Sequence, residues 1–141
     1  MIAPVVRDFV EFGQNFLKKA SDYKNVKTID FVKPTEIQKY FESAKTYLMT
    51  SESEGFSNTM MEAMQNKCPV LSYKVNNDNI FGNNEIGFCA NGDLKMFFEY
   101  FEILSNNADL QTKFGLNGFN YLQKNHNKQQ IINEFIKLFV N

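Results

Sequence analysis

The sequence is poor in the residues that build covalent or metal-bound frameworks. Its 141 residues include two cysteines, one histidine and no tryptophan. Cys68 and Cys89 have neither a Cys-x-x-Cys spacing nor a nearby histidine cluster, so the sequence predicts no disulfide framework and no metal site, and both are interpreted as free buried thiols. His126 has no acidic or cysteine partner nearby in the sequence and is interpreted as structural or solvated.

An excess of charge and long apolar runs are also lacking. The formal net charge of -1 gives no electrostatic basis for binding nucleic acid or an anionic membrane surface. The apolar runs are only as long as a strand, which predicts no transmembrane segment, and the first residues do not have the features of a signal peptide. We therefore predict a cytoplasmic protein whose partner is selected by a local site.

The apolar pattern predicts one domain over residues 1–141, in which strands and helices alternate. Apolar residues at helical spacing follow the first strand, Pro34 begins a second helix and Asn58 a third, and from Asp93 onward the pattern predicts three closing helices. Residues 74–85 are predicted to form a polar loop. The predicted strands are 1–6, 26–32, 46–50 and 69–73, with a short one at 87–90.

This alternation predicts the fold class. Parallel neighbours need long crossover connections, and helices supply them. We therefore expect an α/β fold with an open, parallel, Rossmann-like sheet, helices on both of its faces and a helical C-terminal segment. Ligands of such sheets bind beyond the carboxyl ends of the strands, where the turn after residue 50 lies.

Residues 47–70 carry the chemistry. They are predicted to form a strand, a polar turn, a helix and a second strand entered through Pro69. Glu54 lies in the turn and Glu62 about one turn inside the helix, so both can serve a ligand seated over the helix start. A helix N-terminus binds phosphate and carboxylates accept hydrogen bonds from paired hydroxyls, which suggests a sugar and a ribose on either side of a diphosphate.

The residues between the two carboxylates have alternative interpretations. Ser57, Asn58 and Thr59 stand at the predicted helix start, where they either cap the helix or contact ligand oxygens. Gly55 permits either a close backbone approach or a positive φ.

The stretch resembles a known family. The residues are SESEGFSNTMMEAM at 51–64 and CPVLS at 68–72, continued by SYKVN at 72–76, IGF at 86–88 and NGD at 91–93. Two glutamates separated by seven residues and followed by a Pro-Val strand resemble the donor-binding signature of retaining GT-B glycosyltransferases of family four, also described as glycosyl transferases group 1. The resemblance covers roughly residues 26–125.

The resemblance implies a site for a nucleotide-sugar, a UDP- or GDP-hexose. Glu62 would hold the ribose hydroxyls and Glu54 the hydroxyls of the transferred sugar. The diphosphate would lie on the backbone of Gly55, Phe56, Ser57, Asn58 and Thr59. No metal or other cofactor is expected, and the acceptor would be a glycan, wall polymer or protein, as in cell-wall or polysaccharide biosynthesis.

The resemblance also implies that the chain corresponds to the second of two Rossmann-like domains. The first strand and helix of that domain, which carry an Arg and a Lys for the diphosphate, and the acceptor domain have no counterpart in the sequence. Two alternatives follow: a donor-binding half that works with a separate acceptor-domain chain, or a non-catalytic partner or remnant that keeps the fold. Arg7 and Lys33 either reach a phosphate or are solvated, and the Asn-rich loop 76–84 is either a surface turn or a lid.

Overall fold

The computed structural model describes residues 10–29 and 31–139, which fall into two compact units that divide after residue 37. In the first unit, helix α1 (Val10–Ser21) confirms the helix predicted from the apolar spacing. Helix α2 (Pro34–Ser43) begins at Pro34, as predicted, and continues into the second unit. Proline suits the first turn of a helix because its fixed φ is helical and its missing N–H has no partner there.

The predicted strand at 26–32 is wrong. Residues 26–29 and 31–33 form neither strand nor helix. The N–H of Val26 is used in a turn, where it donates to the Tyr23 carbonyl at 3.0 Å, and the Lys33 carbonyl accepts the first hydrogen bonds of α2. An alternating pattern forms a strand only where a neighbouring strand supplies hydrogen bonds. The predicted strand at 1–6 and Arg7 lie outside the described residues.

The second unit contains a parallel sheet in the order β1-β2-β3, which confirms the predicted α/β class. The last residues of the three strands, Met49, Ser72 and Cys89, are paired with one another in register, so the three carboxyl ends form one edge of the sheet. The elements in chain order are β1 (Tyr47–Met49), α3 (Asn58–Gln65), β2 (Val70–Ser72), α4 (Ile80–Asn84), β3 (Gly87–Cys89), α5 (Leu94–Asn106), α6 (Ala108–Asn125) and α7 (Lys128–Phe139).

The core lies on both faces of the central strand. Val70, Leu71 and Ser72 are all fully buried, and successive side chains of a strand point to opposite faces. Both faces of the sheet are therefore covered, as predicted. Leu71 packs with buried side chains of α5 and α6, which include Phe97 and Phe114. Helix α3 packs against β1, β2 and α6.

The predicted polar loop at 74–85 is only partly a loop. It contains a 3-10 turn at Asn77–Asn79 and the short helix α4. The side chains of Ile80 and Phe81 are buried, and they anchor this segment to the unit. Asp78 and Asn79 have φ values of 54° and 52°, a conformation that these two residue types tolerate better than most. Burial of two apolar residues inside a polar stretch thus produces a helix that composition alone hides.

No helix within residues 10–29 and 31–139 has both the length and the apolar character needed to cross a membrane.

Candidate functional site

The candidate site lies at the carboxyl edge of the sheet. The 50–57 turn leaves β1 here and leads into α3. The segments after β2 and β3 leave the same edge, and backbone hydrogen bonds tie them together: Tyr73 donates to the Met49 carbonyl at 2.8 Å, and Gly92 donates to the Tyr73 carbonyl at 2.7 Å. The buried Ser72 hydroxyl donates to the Val75 carbonyl at 2.7 Å and fixes the chain after β2. The turn therefore stands on a rigid support.

The start of α3 shows which residues cap the helix. Ser57 is the N-cap, with extended backbone angles, and its hydroxyl accepts a hydrogen bond of 3.4 Å from the Met60 N–H. The first backbone bond of the helix runs from the Met61 N–H to the Ser57 carbonyl at 3.0 Å. The N–H groups of Asn58 and Thr59, whose side chains are exposed, precede that bond and so have no acceptor within the helix. Such N–H groups bind anions.

The charges of the two carboxylates act on one phenol. Burial raises the pKa of Tyr47 above its usual value of about 10, and the negative charges of Glu54 and, more weakly, Glu62 act in the same direction. Hydrogen bonds with the hydroxyls of Ser57 and Thr59 oppose this rise. Both exposed glutamates therefore lie close enough to the Tyr47 oxygen to affect its ionisation. The structure brings Glu54, Glu62, Ser57 and Thr59 together at the start of α3.

Tyr47 itself is a site residue that the sequence analysis missed. It was assigned only as the first residue of a strand. Its ring packs edge-on against Phe41, with 5.9 Å between ring centroids, while its hydroxyl extends to the helix start. A tyrosine in an apolar strand gives no signal for such a role, because the direction of its hydroxyl depends on the neighbouring helix.

The glycine of the turn is not needed for its conformation. Gly55 is not among the glycines with positive φ, and no atom of residues 10–29 or 31–139 lies within 4 Å of the position that a Cβ would occupy. The positive-φ interpretation is therefore wrong. Close approach of a ligand to the backbone stays a prediction.

Side chains from two directions hold the turn. The Ser51 hydroxyl donates to the Glu54 carboxylate. The Asn77 amide donates to the Glu54 backbone carbonyl at 3.0 Å. Asn77 belongs to the Asn-rich segment, whose other amides bond to one another, as Asn76 does to Asn79 at 3.2 Å and Asn79 to Asn83 at 3.2 Å. This segment supports the turn through Asn77.

Phe56 occupies an aromatic cluster. Its ring stacks on His126 with 4.7 Å between centroids and 18° between planes, and Tyr121 lies 6.4 Å from Phe56 and 5.7 Å from His126. We call these three residues the aromatic clasp. Phe56 is half-buried and His126 is exposed. Neither Tyr121 nor His126 was selected from the sequence, because only the fold brings the end of α6 to the turn.

The remaining candidates lie elsewhere or differ from expectation. Lys33 is exposed in the first unit. Cys68 is buried, and burial raises the pKa of its thiol to about 12. Cys89 is only half-buried, so its interpretation as a buried thiol is wrong, because it ends β3 at the open edge of the sheet. Within the part of the chain that the structure describes, no three His, Cys, Asp or Glu side chains form a group suited to a metal ion.

A parallel sheet with covered faces, whose carboxyl edge carries a turn and a helix N-terminus, defines a Rossmann-like ligand-binding domain. Residues 13–121 match the family described as Glycosyl transferases group 1, and the chain belongs to this family. A curated relative, the alpha-monoglucosyldiacylglycerol synthase of Acholeplasma laidlawii, is 33% identical over an alignment of 109 residues that covers 68% of this chain and 26% of that protein. The chain thus spans about a quarter of this relative.

Two solved structures show the same fold. The C-terminal domain of the glycosyl transferase group 1 family protein LpcC from Francisella tularensis has a TM-score of 0.69 and 23% identity, covering 87% of this chain and 65% of that one. TarM of S. aureus, solved as a variant in complex with Fondaparinux, alpha-GlcNAc-glycerol and UDP, has a TM-score of 0.74 and 22% identity, covering 94% of this chain and 27% of that one. The predicted GT-B C-terminal domain is confirmed.

Proposed function

We propose that the 50–57 turn and the start of α3 bind the nucleotide-sugar donor of a hexosyl transfer. The observation that carries this proposal is the geometry of the turn and the helix start: Ser57 caps α3, the Asn77 amide holds the backbone of Glu54 in the turn, and the Glu62 side chain is exposed on α3. A helix N-terminus with two N–H groups beyond its cap suits a diphosphate. Carboxylates on either side of it suit the hydroxyl pairs of a sugar and a ribose.

The proposed roles follow this geometry. Glu62 accepts hydrogen bonds from the ribose hydroxyls, and Glu54, held by Ser51, accepts them from the transferred hexose. The backbone from Gly55 to Thr59, with Phe56, Ser57 and Asn58 between them, faces the diphosphate. The open space around Gly55 lets a phosphate approach the main chain.

The charge of the leaving diphosphate is offset, in this proposal, by the N-terminus of α3 and by basic side chains. Lys74 is exposed in the segment after β2 and its stem lies 3.7 Å from the position of a Cβ on Gly92. The transfer then needs no metal ion and retains the configuration of the sugar. The metal independence and the retention of configuration are both expectations that follow from the resemblance of the two glutamates to the family signature.

The relatives supply the first ligands to test. The TarM structure contains UDP, and the curated relative is named for a glucosyl-diacylglycerol product, which makes UDP-glucose the first donor and a GDP-hexose the second. A lipid-linked glycerol joins glycans, wall polymers and proteins among the acceptors to be tested. A cytoplasmic location is part of the same proposal.

The test is a titration of the chain with UDP, GDP, UDP-glucose and a GDP-hexose by calorimetry or NMR. We expect one of the nucleotides to bind at or below millimolar concentration. Glu62→Ala removes charge-assisted hydrogen bonds to the ribose and is expected to weaken binding by about 10- to 100-fold. Glu54→Ala is expected to weaken the binding of the nucleotide-sugar more than that of the free nucleotide, because the proposed partner of Glu54 is the sugar.

Glu52→Ala is the matched control, since Glu52 is an exposed glutamate of the same turn and its loss changes the charge equally. If Glu52→Ala weakens binding as much as Glu62→Ala, the effect is electrostatic and the assigned roles are wrong. Absence of binding to the folded wild type at millimolar concentration overturns the proposal. Binding without transfer, even when candidate acceptors are supplied, favours a donor-binding half or a non-catalytic subunit, which the short coverage of the curated relative makes the second candidate.

A further inference from the structure

The 50–57 turn has a single large apolar side chain, that of Phe56. The other side chains of the turn are polar or absent, and the side chains of residues 52–55 are exposed. Residues of this kind hold a turn in one conformation only weakly, because they bury little apolar surface. The turn is held at Glu54 by hydrogen bonds from Ser51 and Asn77, and Phe56 is the residue through which apolar contact can hold its second half.

Phe56 is attached to the end of α6. Its ring is stacked on His126 at 4.7 Å and lies 6.4 Å from Tyr121 at an angle of 29°. Stacked aromatic pairs with centroids 4.5–7 Å apart stabilise a structure beyond the surface they bury. Both partners come from the C-terminal end of α6, and neither belongs to the turn or to α3.

The support is itself anchored. Helix α6 packs on α3, and the place of a Cβ on Gly118 lies 3.0 Å from Met64, which is fully buried. The backbone N–H of His126 donates to the Leu122 carbonyl at 2.8 Å and ends the helix. This hydrogen bond uses the main chain, so a change of the His126 side chain leaves it in place. The imidazole then contacts the rings of Phe56 and Tyr121 without a part in ending the helix.

We propose that His126, assisted by Tyr121, is a positioning residue that holds the 50–57 turn through Phe56. The proposal rests on the proposed function for its consequence, which is that the backbone of Gly55 and the carboxylate of Glu54 are presented to the donor in one arrangement. His126 does not contact the donor in this account. It acts through the ring that precedes the N-cap of α3.

The first experiment needs no nucleotide. His126 is the sole histidine, so its C2–H proton gives one resolved NMR signal, and stacking on Phe56 displaces that signal. We expect Phe56→Leu to move it toward the position of an unstacked imidazole. We also expect His126→Ala to speed amide exchange or raise mobility at residues 54–57. Unchanged turn dynamics in folded His126→Ala overturn the proposal.

The second experiment measures affinity for UDP, GDP and their sugars. His126→Ala is expected to weaken binding by about 2- to 12-fold, the range that corresponds to one aromatic pair. His126→Phe keeps a ring on Phe56 and is expected to restore affinity to within about 2-fold. Phe98→Ala is the matched control, because it removes an exposed ring of another aromatic pair, 6.2 Å from Phe97, and is expected to leave affinity unchanged.

The outcomes separate this proposal from the proposed function. If the wild type binds no nucleotide while His126→Ala makes the turn more mobile, the proposed donor function is wrong and the proposed positioning role of His126 is supported. If the wild type binds and His126→Ala binds equally well, the clasp has no positioning role and the donor function stands. Equal losses in His126→Ala and His126→Phe also overturn the proposal, because the ring is then not what matters.

Discussion

The side-chain amide of Asn77 donates a 3.0 Å hydrogen bond to the backbone carbonyl of Glu54. It joins the segment after β2 to the turn after β1, two parts of the chain that carry different elements of the proposed donor site. The bond fixes the peptide between Glu54 and Gly55. The Asn-rich segment therefore includes a surface turn at Asn77–Asn79, as one alternative predicted, and this turn is joined to the 50–57 turn; a role as a lid stays a prediction.

Asn77→Ala is expected to weaken nucleotide-sugar binding while leaving the fold intact. An exposed hydrogen bond contributes roughly 0.5–1.5 kcal/mol, which corresponds to about 2- to 12-fold in affinity. Calorimetric titration gives the affinity, and the melting temperature should fall by no more than about 4 °C. Asn83→Ala is the control, since the Asn83 amide donates to the Asp78 carbonyl within the same segment. A loss of affinity in Asn83→Ala without a loss in Asn77→Ala would contradict the role assigned to Asn77.

Tyr47→Phe is expected to reduce the stability of the fold, since it deletes a hydroxyl whose ionisation Ser57 and Thr59 influence by hydrogen bonding and keeps the ring against Phe41. The loss should be roughly 1 kcal/mol in the free energy of unfolding. Urea denaturation near neutral pH measures it. Phe98→Ala, at an exposed position on α5, is the control and shows how much the free energy of unfolding changes when an aromatic ring outside the turn is removed. Equal stability of Tyr47→Phe and wild type contradicts the hydrogen-bonded arrangement.

The Tyr47 pKa also makes a prediction about pH. Burial raises this pKa in the folded chain above the value of about 10 in the unfolded chain. The contribution of Tyr47 to stability is therefore complete below about pH 10 and is lost as the pH rises through the folded pKa. The difference in unfolding free energy between wild type and Tyr47→Phe should shrink above pH 10. A difference that grows in this range reverses the predicted sign.

The two thiols are expected to differ in reactivity. Burial raises the pKa of Cys68 to about 12, so the thiol is protonated at pH 8, and the thiolate is the reactive form. Cys89 is half-buried. A thiol-specific reagent should therefore modify Cys89 first in the native protein, and Cys68 only after unfolding. Cys89→Ala should abolish the fast phase and Cys68→Ala should keep it; the opposite pattern would contradict the burial of Cys68.

Gly115→Ala is expected to be strongly destabilising. A Cβ at this buried position of α6 would overlap the backbone carbonyl oxygen of Lys67, and a backbone atom cannot rotate away as a side chain does. Overpacking of this kind costs about 1–3 kcal/mol or more. Chemical denaturation measures the loss. Gly55→Ala is the matched control, because no atom of the described residues lies within 4 Å of the position of its Cβ. It should leave stability nearly unchanged and should weaken the binding of a diphosphate to the turn.

Local chemistry made much of the fold predictable. Helix starts depend on a cap and the residues just after it, so α3 begins at Asn58, as the sequence predicts. The strand, turn and helix around Glu54 and Glu62 follow from an apolar run, a polar turn and a capping serine. Apart from the short helix α4, the order of strands and helices from residue 46 onward was predictable for the same reason.

Signals that depend on distant partners were misleading. Residues 26–32 alternate as a strand does, yet a strand exists only where another strand accepts its hydrogen bonds. Residues 80 and 81 stand in a polar stretch and form a helix because the unit buries Ile80 and Phe81. Neither outcome can be derived from the local pattern alone.

The sequence by itself determined the family and the two glutamates of the proposed site, because these depend on residues within one strand-turn-helix stretch, and it determined the α/β class, because that depends on the local apolar pattern of successive elements. Only the tertiary structure decided what supports that stretch. The Tyr47 hydroxyl, the Asn77 amide and the His126 ring reach the turn from β1, from the segment after β2 and from the end of α6. Their contacts depend on how strands and helices pack, and packing in three dimensions joins residues that no sequence spacing relates.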